Sequence, residues 1–340
     1  TFNIGADFSF LRGALSGTFD YFNKTTSDIL LPPQVPTVFG TTLNSENIGE
    51  MKNHGWEVTL NYHLKTGEFS HDFSGNIGDT QNKITKLVGG REVIKVDEYF
   101  FINEVGLPFH SYYGYKTDGL YKTMEEIQAS VLPVGISASD LRPGDVKYVD
   151  RNNDGVIDEK DRFVIGNGFP RYTFGFTYNL EWKGFDFNFF IQGVGKRDMM
   201  IRGELVEPFH SNYSYTIYKH QLDFWSPTNT DATYPRLAGI GSVSNSNNYG
   251  MGSEINRFDG KYLRLKNIQL GYTIPKSLTN KLMLQKVRAY VNAQNLITLS
   301  KNSWIDPEST ELDSNMKGNA NSARNYPALK YFGFGLDIEF

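Results

Sequence analysis

The acidic segment from Asp150 to Asp161 is the stretch of the chain whose residue types and spacing point most directly to chemistry. It reads DRNNDGVIDEKD and follows the calcium-loop spacing D-x-[DN]-x-[DN]-G. Calcium takes roughly six to eight oxygen ligands, which carboxylates and amides at alternate positions of a tight turn can supply. The segment predicts a calcium site, and the alternative is an acidic turn without an ion. The predicted ligands are Asp150, Asn152, Asp154, the backbone carbonyl of Val156, Asp158 and Asp161.

Three residues of the segment refine this prediction. Gly155 permits the sharp turn, and Ile157 is expected to hold the loop against a hydrophobic core. Asp161 stands where a helix-loop-helix calcium loop has a bidentate glutamate, which should weaken or alter the site. Because helical patterns do not clearly flank the segment, we expect a structural ion rather than a regulatory sensor.

The last ten residues show the strongest structural pattern. Apolar side chains alternate with glycines and acidic residues, and this period of two places each set on its own side of a strand. A strand of this length with one wholly apolar face is typical of a lipid-facing barrel strand. The apolar set is Phe332, Phe334, Leu336, Ile338 and Phe340.

The same alternation recurs and predicts about nine long strands. A bulge is expected near Lys266 and Asn267. The predicted strands cover residues 4–11, 15–29, 56–64, 69–77, 172–182, 185–192, 262–274, 287–299 and 331–340.

Long and short connections alternate strictly between these strands. Tight turns are predicted near Arg12, Gly67 and Gly184, with a moderate one at 275–286. This arrangement indicates an all-β, transmembrane antiparallel β-barrel with short periplasmic turns and long extracellular loops. A soluble β-sandwich is the alternative, but its strands would be only about 5–6 residues long. The long connections are 31–53, 81–170, 197–260 and 299–326, and the calcium loop lies in the second, an extracellular insertion.

Composition supports an exported β protein. The chain has 340 residues, a net charge of -4, 25 Phe, 20 Tyr and no cysteine. Without cysteine there is neither a disulfide nor a thiolate metal site. The sequence contains neither a run of 18 or more apolar residues for a transmembrane helix nor a Lys/Arg-rich run for nucleic acid. Since barrels usually have even strand numbers, nine strands suggest the C-terminal portion of a longer chain.

Enzyme signatures are poor, so we predict that the chain is not an enzyme. The six histidines do not form H-E-x-x-H, and a G-x-S-x-G elbow is missing. Gly193 to Arg197 lacks the phosphate-loop spacing and is interpreted as a strand end with basic residues near the membrane surface. Asp337 and Glu339 are interpreted as polar residues facing the barrel lumen.

Aromatic residues cluster in the predicted extracellular loops. Exposed rings can stack on sugars or pack against a partner protein, so these residues are candidates for contact with a substrate or a lid. The alternative is that they pack the loops together. The candidates are Tyr99, Phe100, Tyr112, Tyr113, Tyr115, Tyr213 and Tyr215.

Several segments together resemble SusC/RagA-type TonB-dependent transporters of Bacteroidetes outer membranes, over nearly the whole chain. The resemblance implies the C-terminal part of a 22-stranded barrel, a size that encloses a plugged lumen. It also implies a SusD-like surface lipoprotein as partner and energy from the TonB complex. The N-terminal plug of the family is not expected within this sequence. The segments are Gly144–Tyr148, Ile165–Pro170, Tyr262–Tyr272, Ala289–Leu296 and Phe332–Phe340.

The resemblance predicts an outer-membrane importer that takes up oligosaccharides together with the SusD-like lipoprotein. An oligopeptide importer of the same family is the first alternative. A surface β protein or adhesin without transport is the second.

Overall fold

Strands dominate the computed structural model, which describes residues 1–31, 40, 44–96, 99–210, 216–309 and 326–340. In chain order the strands are β1 (Phe2–Phe10), β2 (Leu15–Leu31), β3 (Glu46–Thr66), β4 (Phe69–Leu87), β5 (Arg91–Val96), β6 (Tyr99–Glu104), β7 (Ser111–Gly114), β8 (Thr117–Leu120), β9 (Val146–Tyr148), β10 (Phe163–Gly166), β11 (Arg171–Trp182), β12 (Phe185–Lys196), β13 (Asp198–Met200), β14 (Arg257–Asp259), β15 (Tyr262–Thr273), β16 (Lys286–Ser300) and β17 (Tyr331–Glu339).

Helices are short. The described residues hold no helix with the length and apolar character needed to cross a membrane. The helices are α1 (Met124–Ala129), α2 (Val243–Asn245) and α3 (Lys276–Thr279), with 3-10 turns at Leu11–Gly13, Ala138–Asp140, Glu159–Asp161, Gly203–Leu205, Lys219–Leu222, Glu254–Asn256 and Asn280–Leu282, and a π turn at Ser246–Gly250.

Nine strands form one antiparallel sheet, here called the barrel sheet. Its order is β1-β2-β3-β4-β11-β12-β15-β16-β17, so each strand pairs with the next long strand along the chain. Within the described residues, β1 and β17 are its two edges. These nine strands are the nine predicted from sequence, and the alternation of short and long connections is confirmed.

Several strands extend beyond their predicted ends. β2, β3 and β4 span 17, 21 and 19 residues, whereas a strand needs only roughly 9–11 residues to cross a membrane. Two predicted loop boundaries were therefore wrong. The loop predicted at 31–53 ends earlier, because β3 begins at Glu46, and the loop predicted at 81–170 begins later, because β4 extends to Leu87. The extensions pair polar residues such as Lys52 with Lys83. Above the membrane both faces meet water, so the alternation that reveals a strand is lost.

Local geometry at the predicted turns and bulge is confirmed. Trp182 pairs with Phe185, and the two residues between them have positive φ, 47° at Lys183 and 87° at Gly184. Such a two-residue turn matches the right-handed twist of the strands. The register of β15 against β16 shifts between Leu265 and Asn267, where the bulge was expected.

The apolar face of the barrel sheet is exposed. Phe332, Phe334 and Phe340 are 72%, 90% and 82% exposed. In water such a face would aggregate, whereas in a bilayer it contacts lipid. His71, which interrupts the apolar row of β4, is held by a 2.8 Å hydrogen bond between its Nδ1 and the Tyr178 hydroxyl.

Aromatic rings line the apolar face beside the short turns. The rings of Phe69 and Trp182 stack 5.3 Å apart, and those of Phe185 and Tyr272 lie 4.5 Å apart. An aromatic band at this level is typical of the interface between lipid and water. It places the short turns just beyond one surface of the membrane.

A second region, here called the loop unit, comprises the described residues of 88–170 and 197–261. It holds a four-stranded sheet of order β10-β7-β6-β5 and two strand pairs, β13-β14 and β8-β9. Among the described residues, the buried hydrophobic side chains form four clusters, and all four centre on the loop unit. The conventional core of the chain therefore lies in the loop unit and not on the barrel sheet.

Candidate functional site

The first half of the acidic segment forms a turn whose side-chain oxygens accept backbone hydrogen bonds. Asp150 accepts from the N–H of Asn153 at 2.7 Å and of Gly155 at 2.8 Å. The Asn152 side-chain oxygen accepts from the N–H of Asp154 at 2.8 Å. Positive φ at Asn153 (60°) and Gly155 (84°) allows this tight path. Asn152 is exposed and Asp150 is half-buried, and each accepting oxygen keeps a second lone pair for another partner.

The second half of the segment is closed by a buried carboxylate. Asp161 is fully buried, and its Oδ1 accepts from the N–H groups of Arg151 (2.8 Å) and Asn152 (3.2 Å). Its Oδ2 accepts from the N–H of Asp158 at 2.9 Å. Asp161 therefore holds the two ends of the segment together instead of presenting its oxygens to an ion.

The residues fit a calcium loop in part. Oxygens of Asp150, Asn152 and Asp154 remain available, together with the Val156 carbonyl. Asp158 accepts from the N–H of Lys160 through one oxygen, at 2.8 Å, and keeps the other, whereas both oxygens of Asp161 are occupied by backbone bonds. Among the described residues there is no group of three or more His, Asp or Glu side chains close enough to hold a metal. The calcium site stays a prediction with a smaller set of oxygens. Ile157 is 1% exposed and lies in a buried cluster, as expected.

The aromatic candidates for ligand contact lie inside the loop unit. Tyr99, Tyr112, Tyr113 and Tyr115 are 3%, 0%, 7% and 3% exposed, and Phe100 is half-buried. This burial favours the alternative, in which aromatic rings pack the loops together. Tyr213 and Tyr215 lie outside the described residues.

The polar face of the barrel sheet carries a hydrogen-bonded row of neutral amides. The Asn188 amide donates to the side-chain oxygen of Asn179 at 2.5 Å, and the Asn267 amide donates to that of Asn188 at 3.1 Å. On the same face, the Ser74 hydroxyl donates to Asn61 at 2.7 Å. We did not single out these residues from the sequence, although their signal was there in the polar halves of the alternating strands.

Ion pairs lie at both ends of this polar face. Near the short turns, Arg288 lies 2.6 Å from Asp186 and 3.1 Å from Asp337. Near the loop unit, Arg171 pairs with Asp79 through two contacts. Asp337 is thus held by an arginine, consistent with a structural polar residue on this face.

Arg197 corrects one sequence interpretation. It was expected among basic residues near the membrane surface, but it is 8% exposed. Its guanidinium donates to the carbonyl oxygens of Pro307, at 3.0 Å, and Ser309. The guanidinium therefore fastens the chain after β16 to the end of β12, a contact between residues too distant in sequence to predict.

Asp145 ties the two long segments of the loop unit together. It is fully buried, with its Oδ1 2.8 Å from Arg236 Nε. Ser244 Oγ donates to its Oδ2 at 2.6 Å, and Asn248 donates to its Oδ1 at 2.9 Å. The sequence offered no signal for this cluster, because about 90 to 100 residues separate Asp145 from these partners.

Lys147 lies between two carboxylates at the edge of the same unit. Its ammonium is 2.9 Å from Asp118 and 2.9 Å from Glu126, and these contacts raise the pKa of Lys147 above its ordinary value. The pKa of Glu126 is lowered by the backbone N–H of Lys122 and then by Lys147. Both groups are therefore charged at neutral pH.

Comparison with known proteins places this architecture in a family. Residues 1–296 match the family described as TonB dependent receptor-like, beta-barrel. The chain is 30% identical over 362 residues to TonB-dependent receptor P3 of Formosa agariphila, covering 99% of this chain and 34% of that protein. It is 28% identical to TonB-dependent receptor SusC of Bacteroides thetaiotaomicron, covering 100% of this chain and 32% of that protein.

Solved structures agree on the fold. The structure of the RagAB peptide transporter superposes with a TM-score of 0.75 at 22% identity, over 99% of this chain and 34% of that chain. The chain thus spans about a third of the length of the relatives it matches. The chain belongs to the TonB-dependent receptor family, of SusC/RagA type, and its nine-stranded sheet is part of the wall of an outer-membrane β-barrel.

Proposed function

We propose that the protein to which this chain belongs imports oligosaccharides across the outer membrane by TonB-dependent transport. The observation that carries the proposal is the row of neutral amides on the polar face of the barrel sheet. An amide offers both a donor and an acceptor, which suits the hydroxyl groups of sugars. The similarity to SusC supports the same class of transporter.

In this proposal a SusD-like lipoprotein captures the oligosaccharide above the barrel. TonB then moves a plug, and a path opens along the polar face. This chain contributes part of the barrel wall, its polar lining and the loop unit on which the lipoprotein rests. Its residues bind and orient the ligand through hydrogen bonds, and no covalent step is involved.

An oligopeptide importer is the second candidate. It is favoured by the fold similarity to the RagAB peptide transporter. Amides such as Asn179 and Asn188 would then pair with the peptide backbone, which has its own donors and acceptors.

One experiment separates the two candidates. The intact complex would be extracted in mild detergent from cells grown on mixed nutrients, and its bound ligand analysed by mass spectrometry. We expect sugar oligomers. Peptides in their place would overturn the oligosaccharide proposal in favour of the second candidate.

The double variant Asn179→Leu/Asn188→Leu should carry less ligand, while Ser74→Ala, which removes one hydroxyl from the same face, should retain most of it.

We also propose that the acidic turn binds calcium through Asp150, Asn152, Asp154, the Val156 carbonyl and Asp158. When bound, the ion would hold the exposed turn rigid against the loop unit. Titration calorimetry of the intact complex with calcium chloride should show saturable binding that Asp154→Ala abolishes. Glu159→Ala, which removes a neighbouring carboxylate outside the proposed ligand set, should leave it unchanged. A flat titration of the wild-type protein would remove this site.

A further inference from the structure

A cavity of about 650 Å³ lies in the loop unit between the four-stranded sheet and the acidic turn. Its volume falls within the roughly 300–1,000 Å³ of ligand pockets. Four cationic side chains and two carboxylates line it, so positive charge is in excess. These six residues are Arg91, Arg151, Lys160, Arg162, Glu104 and Glu159.

The arginines of this cavity are held by aromatic rings. The guanidinium carbon of Arg162 lies 3.8 Å from the ring centre of Phe100, and that of Arg151 lies 5.2 Å from Phe163. Stacking on a ring uses the flat face of a guanidinium. The N–H groups at its edge remain in the plane in which a carboxylate or sulfate is bound by two parallel hydrogen bonds.

Two of these arginines lack a carboxylate partner within the described residues. Among those residues, no carboxylate oxygen lies within 4.0 Å, the limit for an ion pair, of the guanidinium of Arg151 or Arg162. Arg91 lies at that limit from Glu104, with 49% of its side chain exposed. Elsewhere in the chain arginines on the polar face pair at about 3 Å or less. Lys160 lies 3.7 Å from Asp158, so the charges of Arg151 and Arg162 are the ones left for a ligand from outside the chain.

Val93 and Val164 add apolar surface to the cavity wall. A small inorganic anion would leave this surface uncovered. A sugar ring bearing an anionic group would place its oxygens on the guanidinium edges and its C–H face on the apolar wall.

We propose that this cavity binds the carboxylate or sulfate group of an acidic oligosaccharide, and that the imported substrate is therefore anionic. The inference rests on the proposed oligosaccharide uptake and adds to it the charge of the substrate and the residues that select it. Arg91 and Arg151 are the exposed arginines of the site. Arg162, packed on Phe100 with its Nε buried, positions the cavity wall.

Calorimetry on the intact detergent-solubilised complex tests this proposal. The probes are tetragalacturonate for a carboxylate, a carrageenan tetrasaccharide for a sulfate, maltotetraose as a neutral sugar and tetraglutamate as an acidic peptide. The variant is Arg91→Gln/Arg151→Gln, which leaves the half-buried Arg162 in place. The control is Lys116→Gln/Lys122→Gln, which removes the same charge from exposed positions of the loop unit outside the cavity.

We expect at least one acidic sugar to bind more tightly than maltotetraose. The arginine variant should weaken that binding by about tenfold or more, since hydrogen bonds to charged groups contribute most to such sites, while the lysine control keeps it. Which acidic sugar responds distinguishes carboxylate from sulfate.

Three results would overturn the inference. If maltotetraose binds as well as either acidic sugar, or the arginine variant binds them unchanged, the cavity does not select charge and oligosaccharide uptake still stands. If no sugar binds and tetraglutamate does, the inference and the oligosaccharide proposal both fail.

Discussion

The barrel sheet and the loop unit bury opposite kinds of surface. On the barrel sheet the large apolar residues are exposed, as at Phe334 (90% exposed), while the polar face is joined by side-chain hydrogen bonds. In the loop unit Tyr112 and Ile127 are fully buried. The difference reflects the solvent that each region meets, since lipid covers the apolar face of the sheet and water surrounds the loop unit.

The two regions also differ in how the chain builds them. Each strand of the barrel sheet pairs with the next long strand, and its alternating pattern is visible within about ten residues. The loop unit depends on contacts between segments about 100 residues apart, such as Asp145 with Asn248. Substitutions that add or remove charge should therefore act on the two regions in different ways.

The largest expected effect is in the loop unit. Asp145→Ala should destabilise it by roughly 3 kcal/mol, because the positive charge of Arg236 loses its carboxylate and the buried donors of Ser244 and Asn248 lose their acceptor. Asp118→Ala, at an exposed ion pair, should cost less than about 1 kcal/mol. Limited proteolysis of the intact complex against denaturant would measure both. Equal resistance of the two variants would contradict the role given to Asp145.

A charge on the apolar face should have the next largest effect. Phe334→Arg should destabilise the barrel by about 2–4 kcal/mol if the position lies near the middle of the bilayer. Asn292→Arg, on the polar face of the neighbouring strand, should have a much smaller effect. Urea unfolding of the protein in lipid vesicles measures the two. The opposite order would mean that the faces of the sheet are assigned the wrong way round.

A smaller effect is expected at His71, the histidine that interrupts the apolar row of β4. Tyr178→Phe leaves His71 Nδ1 without its 2.8 Å partner on a lipid-facing surface, at a cost of about 1 kcal/mol. Adding His71→Leu should restore most of the stability, because neither partner then remains polar. The same unfolding assay in vesicles applies, and a double variant less stable than Tyr178→Phe alone would argue against this contact.

The smallest effect is the pH dependence of the loop unit. The pKa of Glu126 is below its ordinary 4.5 in the folded chain, first through the Lys122 N–H and then through Lys147. A carboxylate whose pKa is lower in the folded than in the unfolded chain stabilises the fold at any pH above its unfolded pKa. This stabilisation is lost as the pH falls through the folded pKa. Proteolytic resistance should therefore fall below about pH 4.5, less steeply in Glu126→Gln. Identical acid profiles would exclude Glu126 as a contributor.

Much of the barrel sheet was predictable from sequence, and less of the loop unit was. The alternating residues of 331–340 predict which face of that strand is apolar, and Lys183-Gly184 predicts a turn. The first half of β3 could not be predicted as strand, because both of its faces meet water and its residues do not alternate. The acidic turn was found by its spacing, but the burial of Asp161 depends on bonds to Arg151 and Asn152 that spacing does not encode.

Surface chemistry of the loop unit was the least predictable. Rings such as Tyr112 look alike in sequence whether they stack on a ligand or pack a core, and only their burial separates the two. Arg91, Arg151 and Arg162 line the same cavity, although about 60 to 70 residues separate the first from the other two. No local sequence pattern predicts that they lie together.

Cysteine labelling in intact cells tests the central assignment most directly, because the chain contains no cysteine of its own. Lys122→Cys places a thiol on the exposed surface of the loop unit, and Lys183→Cys places one at a short turn. A bulky maleimide that cannot cross the outer membrane should label Lys122→Cys at once and Lys183→Cys only after the membrane is permeabilised. Labelling of Lys183→Cys alone in intact cells, or equal labelling of both, would contradict a barrel wall with the loop unit outside the cell.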